Sequence, residues 1–172
     1  MKVSIIIPAL NASKTIQTCL AACIQQALPA RVQTEIILVD DGSTDDTVAL
    51  AQAFAVRVLR HVTPRGAAAA RNTGIAAAQG EVILFTDADC VPRQNWAAEM
   101  IRPFTNPAVV GCKGIYATQQ PQLTARFVQI EYEDKYDLLR KHSQIDFIDT
   151  YSAGYRADVL KAGGGFDEKI RY

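Results

Sequence analysis

The chain has 172 residues, about half of them apolar, and its 18 basic and 18 acidic side chains cancel. That is enough for one compact domain with a sizeable core, and it excludes a disordered chain and any basic field that would gather nucleic acid or anionic membrane, so phosphate recognition must be local. No apolar run reaches the ~20 residues that span a bilayer, and the opening MKVSIIIPAL, broken by Pro8 and Asn11, reads as a first strand and not as a signal peptide.

In chain order, VSIIIP (3–8) is uninterrupted and β-branched, as for a strand buried on both faces. Ser13 is placed to cap a helix that carries Ile16, Leu20, Cys23, Ile24 and Ala27 at helical spacing and closes at Pro29. EIILVDD (35–41) is a second strand. GSTDDT then turns into a helix, with Ser43 or Thr44 as cap and Asp45 and Asp46 in the first turn, where the helix dipole favours negative charge. VRVLRH (56–61) is a third strand, the Ala-rich segment 65–79 a helix, and EVILFTD (81–87) a fourth strand. Pro92 starts a helix with Trp96, Met100 and Ile101. Past residue 108 the pattern changes. AVVGCKGIYAT is a strand interrupted by glycine, 123–142 a long amphipathic helix with a solvated charged face, and the segment from IDFIDT to GGGFDE a strand, a short helix and a turn.

Alternating strands and helices predict an α/β fold: a mostly parallel central sheet with helices on both faces. Residues 1–172 form one domain, with 1–107 as one half and 108–172 as a second half of different character. Cys19, Cys23, Cys90 and Cys112 read as small apolar residues. His61 and His142 stand isolated, so no soft metal site is built.

Ligands of open parallel sheets bind at the carboxyl ends of the strands. There the chain places Pro8, Ala9, Leu10 and Asn11, then Asp40 and Asp41, then Asp87 and Asp89. One Asp at a strand end is ordinarily a turn residue. A D-x-D beside a second acidic strand end instead suits a hard divalent cation such as Mg²⁺ or Mn²⁺, which is often held by one or two carboxylates plus substrate phosphates. Asp45 and Asp46 are most simply helix-terminal charges. Asp40 and Asp41 face the ligand edge, where a carboxylate can accept from a nucleobase or ribose, and Gly42 permits the turn that follows. Arg71 is either solvated or able to neutralise a phosphate or the local acids. Neither a G-x-x-x-x-G-K-[ST] loop nor a G-x-G-x-x-G after the first strand is present.

Taken in series, VSIIIPALNASKTIQTCL, EIILVDDGSTDDT, RGAAAARNTGIAAAQGEVILFTDADCVP and YRADVLKAGGGFDE resemble the family 2 glycosyltransferases. The resemblance covers nearly the whole chain. It implies a Rossmann-like GT-A fold and a nucleotide-diphosphate sugar donor, most often a UDP-sugar, with Mg²⁺ or Mn²⁺ on the diphosphate. It implies that Pro8, Ala9 and Leu10 line the nucleotide, that Asp41 accepts from the base, that Arg71 lies near the nucleotide, that Asp87 meets the ribose side and that Asp89 ligates the metal. The reaction is then transfer with inversion to an acceptor hydroxyl on a saccharide, lipid or protein, with no nucleic acid involved. The place is the cytoplasm, at the inner face of the membrane if a longer protein associates with it.

In the family the base is usually an acid shortly after the GGFDE stretch. Here that stretch is Gly164–Glu168 and the chain stops at Tyr172, so the usual base position lies beyond it. Asp167 and Glu168 are weak candidates that read first as turn residues. The expectation is a chain that binds donor and turns over little. Two alternatives stand beside this. DADCV also resembles the D-x-D-x-[TV] signature of haloacid-dehalogenase-like phosphohydrolases, with Asp87 as nucleophile, although that signature normally follows the first strand and needs a later acidic pair for which IDFIDT is poorly suited. The other is a non-catalytic nucleotide-binding module.

Overall fold

A computed structural model describes residues 1–118, 120–142, 144–145 and 148–170. Its strands are β1 (Lys2–Ala9), β2 (Gln33–Asp40), β3 (Arg57–Arg60), β4 (Val82–Thr86), β5 (Gly111–Lys113) and β6 (Ser152–Arg156). Its helices are α1 (Ile16–Ile24), α2 (Thr47–Ala51), α3 (Ala67–Ala77), α4 (Trp96–Ile101), α5 (Leu123–Leu139) and α6 (Ala157–Ala162), with a 3₁₀ turn over Arg102–Thr105. The strands form one sheet in the order β3-β2-β1-β4-β6-β5. β1 to β4 run parallel, and β6 lies antiparallel between β4 and β5. The mostly parallel α/β sheet expected from the sequence is present.

The apolar runs of β1, β2 and β4 are unbroken because helices cover both faces of the sheet. Along β1 the side chains alternate: Val3, Ile5, Ile7 and Ala9 enter one core with α1 and α4, and Ile6 enters the other with Ala70 and Ile75 of α3 and Ala157 of α6. Ile5, Ile6 and Ile7 are fully buried, each stabilising the fold by roughly 1.5–3 kcal/mol relative to exposure. Gly80 lets the chain enter β4 against β1: a Cβ there would stand 2.5 Å from the backbone nitrogen of Ser4.

The crossover that follows β1 leads to β2, whereas β4 returns to the opposite side of β1, so the strand order reverses between β1 and β4. Their pairing ends at Ile6↔Phe85, while β1 continues alongside β2 as far as Ala9↔Asp40. Beyond Ile6 the two strands diverge, and Pro8, which has no N–H to give, sits where the ladder to β4 has ended. This is the switch point at which a parallel sheet opens a crevice.

Several boundaries move from those expected. α1 begins at Ile16 behind Thr15 and not behind Ser13, whose N–H donates to Asp45 Oδ2 at 3.0 Å. α2 begins at Thr47, behind Asp46 as its N-cap, so Asp45 and Asp46 precede the helix and do not lie in its first turn. Neither Ser43 nor Thr44 caps it: Ser43 Oγ accepts the Asn11 N–H at 2.8 Å, and Asp45 Oδ1 accepts the Thr47 N–H at 3.0 Å. α4 begins at Trp96 behind Asn95 rather than at Pro92. The strand expected in the segment that opens with IDFIDT runs over Ser152–Arg156; Asp146 and Phe147 of that segment lie outside the described residues, as does Tyr172. Among the described residues no helix is long and apolar enough to cross a membrane.

Candidate functional site

Two loops meet at the carboxyl edge beside β1. Asn11 holds a left-handed backbone (φ 50°), its N–H donates to Ser43 Oγ, and its Oδ1 accepts the Thr44 N–H at 2.9 Å. The Ala12 N–H donates to Thr47 Oγ1 at 2.7 Å. The loop after β1 is thus laced to the loop after β2. Asp45 belongs to this lacing, and hydrogen bonds from Thr47 and Ser13 hold its carboxyl well below the usual carboxylate range. Of the three expected lining residues, Pro8 and Ala9 are buried within β1, and Leu10 is exposed at the edge.

The two acids ending β2 separate. Asp40 is fully buried and does not face the ligand edge as expected: it pairs with Arg60 Nε at 3.2 Å and accepts the Ser43 N–H. Burial without a partner would be costly, so β3 supplies one. Asp41 points across to the entry of α3. Its Oδ1 lies 2.6 Å from His61 Nδ1 and 2.9 Å from the Arg65 nitrogen, and its Oδ2 lies 2.8 Å from the Gly66 nitrogen. The carboxylate therefore serves donors at the start of a helix, where negative charge is also favoured by the dipole. His61 is not isolated, as it appeared in the chain order. It is buried, with Nε2 2.8 Å from Thr73 Oγ1. Its position at the end of β3, on the same edge as Asp41, is the signal that would have found it.

At the end of β4, Asp87 Oδ1 accepts from the Arg71 guanidinium at 2.8 Å. Arg71 is not a solvated surface residue. Its side chain is 11% exposed, and its Nε is buried without a protein partner. The guanidinium carbon lies 5.9 Å from the centre of the Phe166 ring. Asp89, two residues on, is exposed. Beside these acids burial and their charges push the Cys90 thiol up to about 11. The four cysteines are free.

The GGGFDE turn closes against α3. Asn72 donates to the Phe166 carbonyl at 2.9 Å and accepts the Phe166 N–H at 2.8 Å. Gly165 (φ +77°) approaches so closely that a Cβ would stand 2.4 Å from Asn72 Oδ1. Glu168 accepts from Asn72 at 2.9 Å and from Arg65 at 3.1 Å, and the Asn72 hydrogen bond, with the Arg65 charge, lowers its pKa. Asp167 accepts the Lys169 N–H at 2.9 Å, as a turn residue does. Asn72, Thr73 and Phe166 were not singled out from the chain order; RNTG in an Ala-rich helix was the available signal.

Among the described residues no group of three or more His, Cys, Asp and Glu is placed to hold a metal. A cation here would take Asp89, whose Oδ1 otherwise meets the Cys90 thiol at 3.9 Å, with Asp87 already committed to Arg71. Such a donor set suits a divalent ion whose remaining ligands are water and phosphate oxygens.

The sequence profile of the glycosyl transferase family 2 matches residues 4–164. The chain is 32% identical over 188 aligned residues to the uncharacterized glycosyltransferase EpsJ of Bacillus subtilis, covering 99% of this chain and 52% of EpsJ. It superposes on the mannosyltransferase PcManGT of Pyrobaculum calidifontis, solved in complex with GDP-Man and Mn²⁺, with a TM-score of 0.80, 24% identity, and coverage of 98% of this chain and 48% of that one. It superposes on S. aureus TarS, solved in complex with UDP, with a TM-score of 0.72, 23% identity, and coverage of 99% and 52%. The chain spans about half the length of EpsJ, of the solved PcManGT chain and of the solved TarS fragment, residues 1–349. It has the α/β Rossmann-like GT-A fold and belongs to the glycosyl transferase family 2.

Proposed function

We propose that this chain carries the donor-binding side of a glycosyltransferase that takes a UDP-sugar and transfers the sugar, with inversion and metal assistance, to an acceptor hydroxyl. The observation that carries the reading is that α3 meets both acidic strand ends: Asp41 accepts the Arg65 and Gly66 N–H groups at its entry, and Asp87 accepts from Arg71 within it, with Asp89 exposed two residues on. In this reading Asp41 accepts from the base, the backbone from Pro8 to Leu10 lines it, and Asp87 takes the ribose side. Arg71, anchored by Asp87 and stacked near Phe166, offers its guanidinium to the nucleotide. Asp89 would hold Mg²⁺ or Mn²⁺, which when bound offsets charge on a leaving diphosphate. The GDP-Man and Mn²⁺ of PcManGT and the UDP of TarS support a nucleotide donor.

Neither Asp167 nor Glu168 suits the acceptor-activating base. The first holds its own turn. The second is lowered in pKa by Asn72 and Arg65, the wrong direction for a group that must take a proton near neutral pH. The phosphohydrolase alternative loses ground because the would-be nucleophile Asp87 is held by Arg71.

Thermal unfolding with UDP, alone and with Mn²⁺, tests this. Saturating ligand at about a hundredfold over Kd should stabilise the chain by roughly 2.7 kcal/mol. Asp89→Asn should remove the metal-dependent part and leave the rest. No shift with UDP, with or without metal, ends the donor reading.

A further inference from the structure

A carboxylate offers roughly four acceptor positions, two on each oxygen. Asp41 already serves three donors: His61 Nδ1 and the Arg65 N–H on Oδ1, and the Gly66 N–H on Oδ2. One position is left, and it belongs to Oδ2. The arrangement is not adjustable at low cost. Two of the donors are backbone groups at the entry of α3, and His61 is itself buried and held from its other nitrogen by Thr73.

We propose that His61 is a specificity-determining positioning residue: by filling the second acceptor position of Asp41 Oδ1, it makes the site accept an imide pyrimidine and refuse guanine. The inference rests on the donor reading above, in which Asp41 meets the base. Uracil presents a single N–H, at N3, between two carbonyl oxygens, and one acceptor satisfies it. Thymine shares that edge. Guanine presents N1–H and an adjacent amino group, a pair that a carboxylate meets with both oxygens at once. Here Oδ1 is saturated, so one guanine donor would enter the crevice without a partner. Asp41 is almost wholly buried, which removes water as a substitute. Cytosine fails differently, because its unprotonated N3 would face the carboxylate. His61 touches no ligand in this scheme; it acts through Asp41.

The test is calorimetric binding of UDP, dTDP, GDP and CDP to the 172-residue chain, all in one Mn²⁺ buffer so that diphosphate and metal contributions cancel in the ratios. The wild type should bind UDP and dTDP at least about tenfold more tightly than GDP or CDP, the loss expected for one unpaired buried donor. His61→Leu, which keeps bulk but removes the donor and reopens Oδ1, should shrink the UDP-to-GDP ratio. His61→Gln, which retains an N–H, should restore it. A purely structural His61 would weaken both nucleotides alike and leave the ratio unchanged, and that result overturns the proposal. So does wild-type chain that binds GDP as tightly as UDP, a measurement that stands even if His61→Leu does not fold. Binding of none of the four nucleotides would instead overturn the donor reading itself.

Discussion

From Lys2 to Thr86, the parallel strands β1, β2 and β4 bury runs of side chains on both faces while β3 stays half-exposed at the edge, and the loops at their carboxyl ends are tied to one another by side chains that bond backbone groups: Ser43 to Asn11, Thr47 to Ala12, Asp41 to Arg65 and Gly66. From Gly111 to Arg156 the construction is different. α5 buries only Tyr136 and leaves Leu123 82% and Phe127 62% exposed. Its attachment is polar and aromatic. The Tyr136 hydroxyl lies 2.6 Å from that of Tyr151 and accepts the Tyr116 N–H at 2.7 Å, Tyr132 packs beside them, and Lys113 pairs with Asp149. The first region spends its polar groups on fixing loop geometry, where a ligand can use it. The second spends them on attaching one helix to the segments that follow β5 and precede β6.

The sharpest way to break that contrast is a pair of truncations. Leu84→Ala, fully buried in β4, should cost about 2–5 kcal/mol in urea unfolding, whereas Phe127→Ala on α5 should stay within about 0.5 kcal/mol. Equal costs would mean that α5 is packed as firmly as the sheet. A second comparison needs one methyl group. Gly80→Ala should cost roughly 1–3 kcal/mol, because the new carbon meets the backbone of β1, which has no rotamer with which to yield.

A smaller effect probes the seam where the GGGFDE turn docks on α3. Asn72→Ala removes both bonds to Phe166 and one to Glu168, and should cost about 1–2 kcal/mol while speeding proteolysis between Gly163 and Ile170. Glu168 makes the seam acid-sensitive. Its folded pKa is lowered, so its contribution is complete above its ordinary value of about 4.3 and fades as the pH falls through the folded value. Proteolysis of the turn should therefore rise below about pH 4 in the wild type, and Glu168→Gln should flatten that dependence. A pH profile identical in the two proteins would remove Glu168 from the latch.

Much of the first region was legible in the chain order. Unbroken β-branched runs such as SIII and EIILV state burial on both faces, and their alternation with helical spacing leaves few arrangements besides a parallel sheet. The same reading set Asp40, Asp41, Asp87 and Asp89 at strand ends that share one edge of a parallel sheet, whereas Arg71 was read inside a helix. Periodicity does not carry partner choice. Asp40 and Asp41 are adjacent and chemically identical, yet one is buried against Arg60 and the other organises the entry of α3, because successive residues at a strand end point in opposite directions. Ser43 looked like a helix cap and Asp45 like a first-turn charge, but each lies within reach of the neighbouring loop, and a backbone donor across it won: the Asn11 N–H for Ser43 and the Ser13 N–H for Asp45. His61 and Asn72 acquired roles only when β3 and α3 were set beside Asp41 and the closing turn. The sequence by itself determined which segments are strands and which edge carries the acids. The tertiary structure alone decided which acid keeps an acceptor position open, because that depends on donors arriving from residues far along the chain.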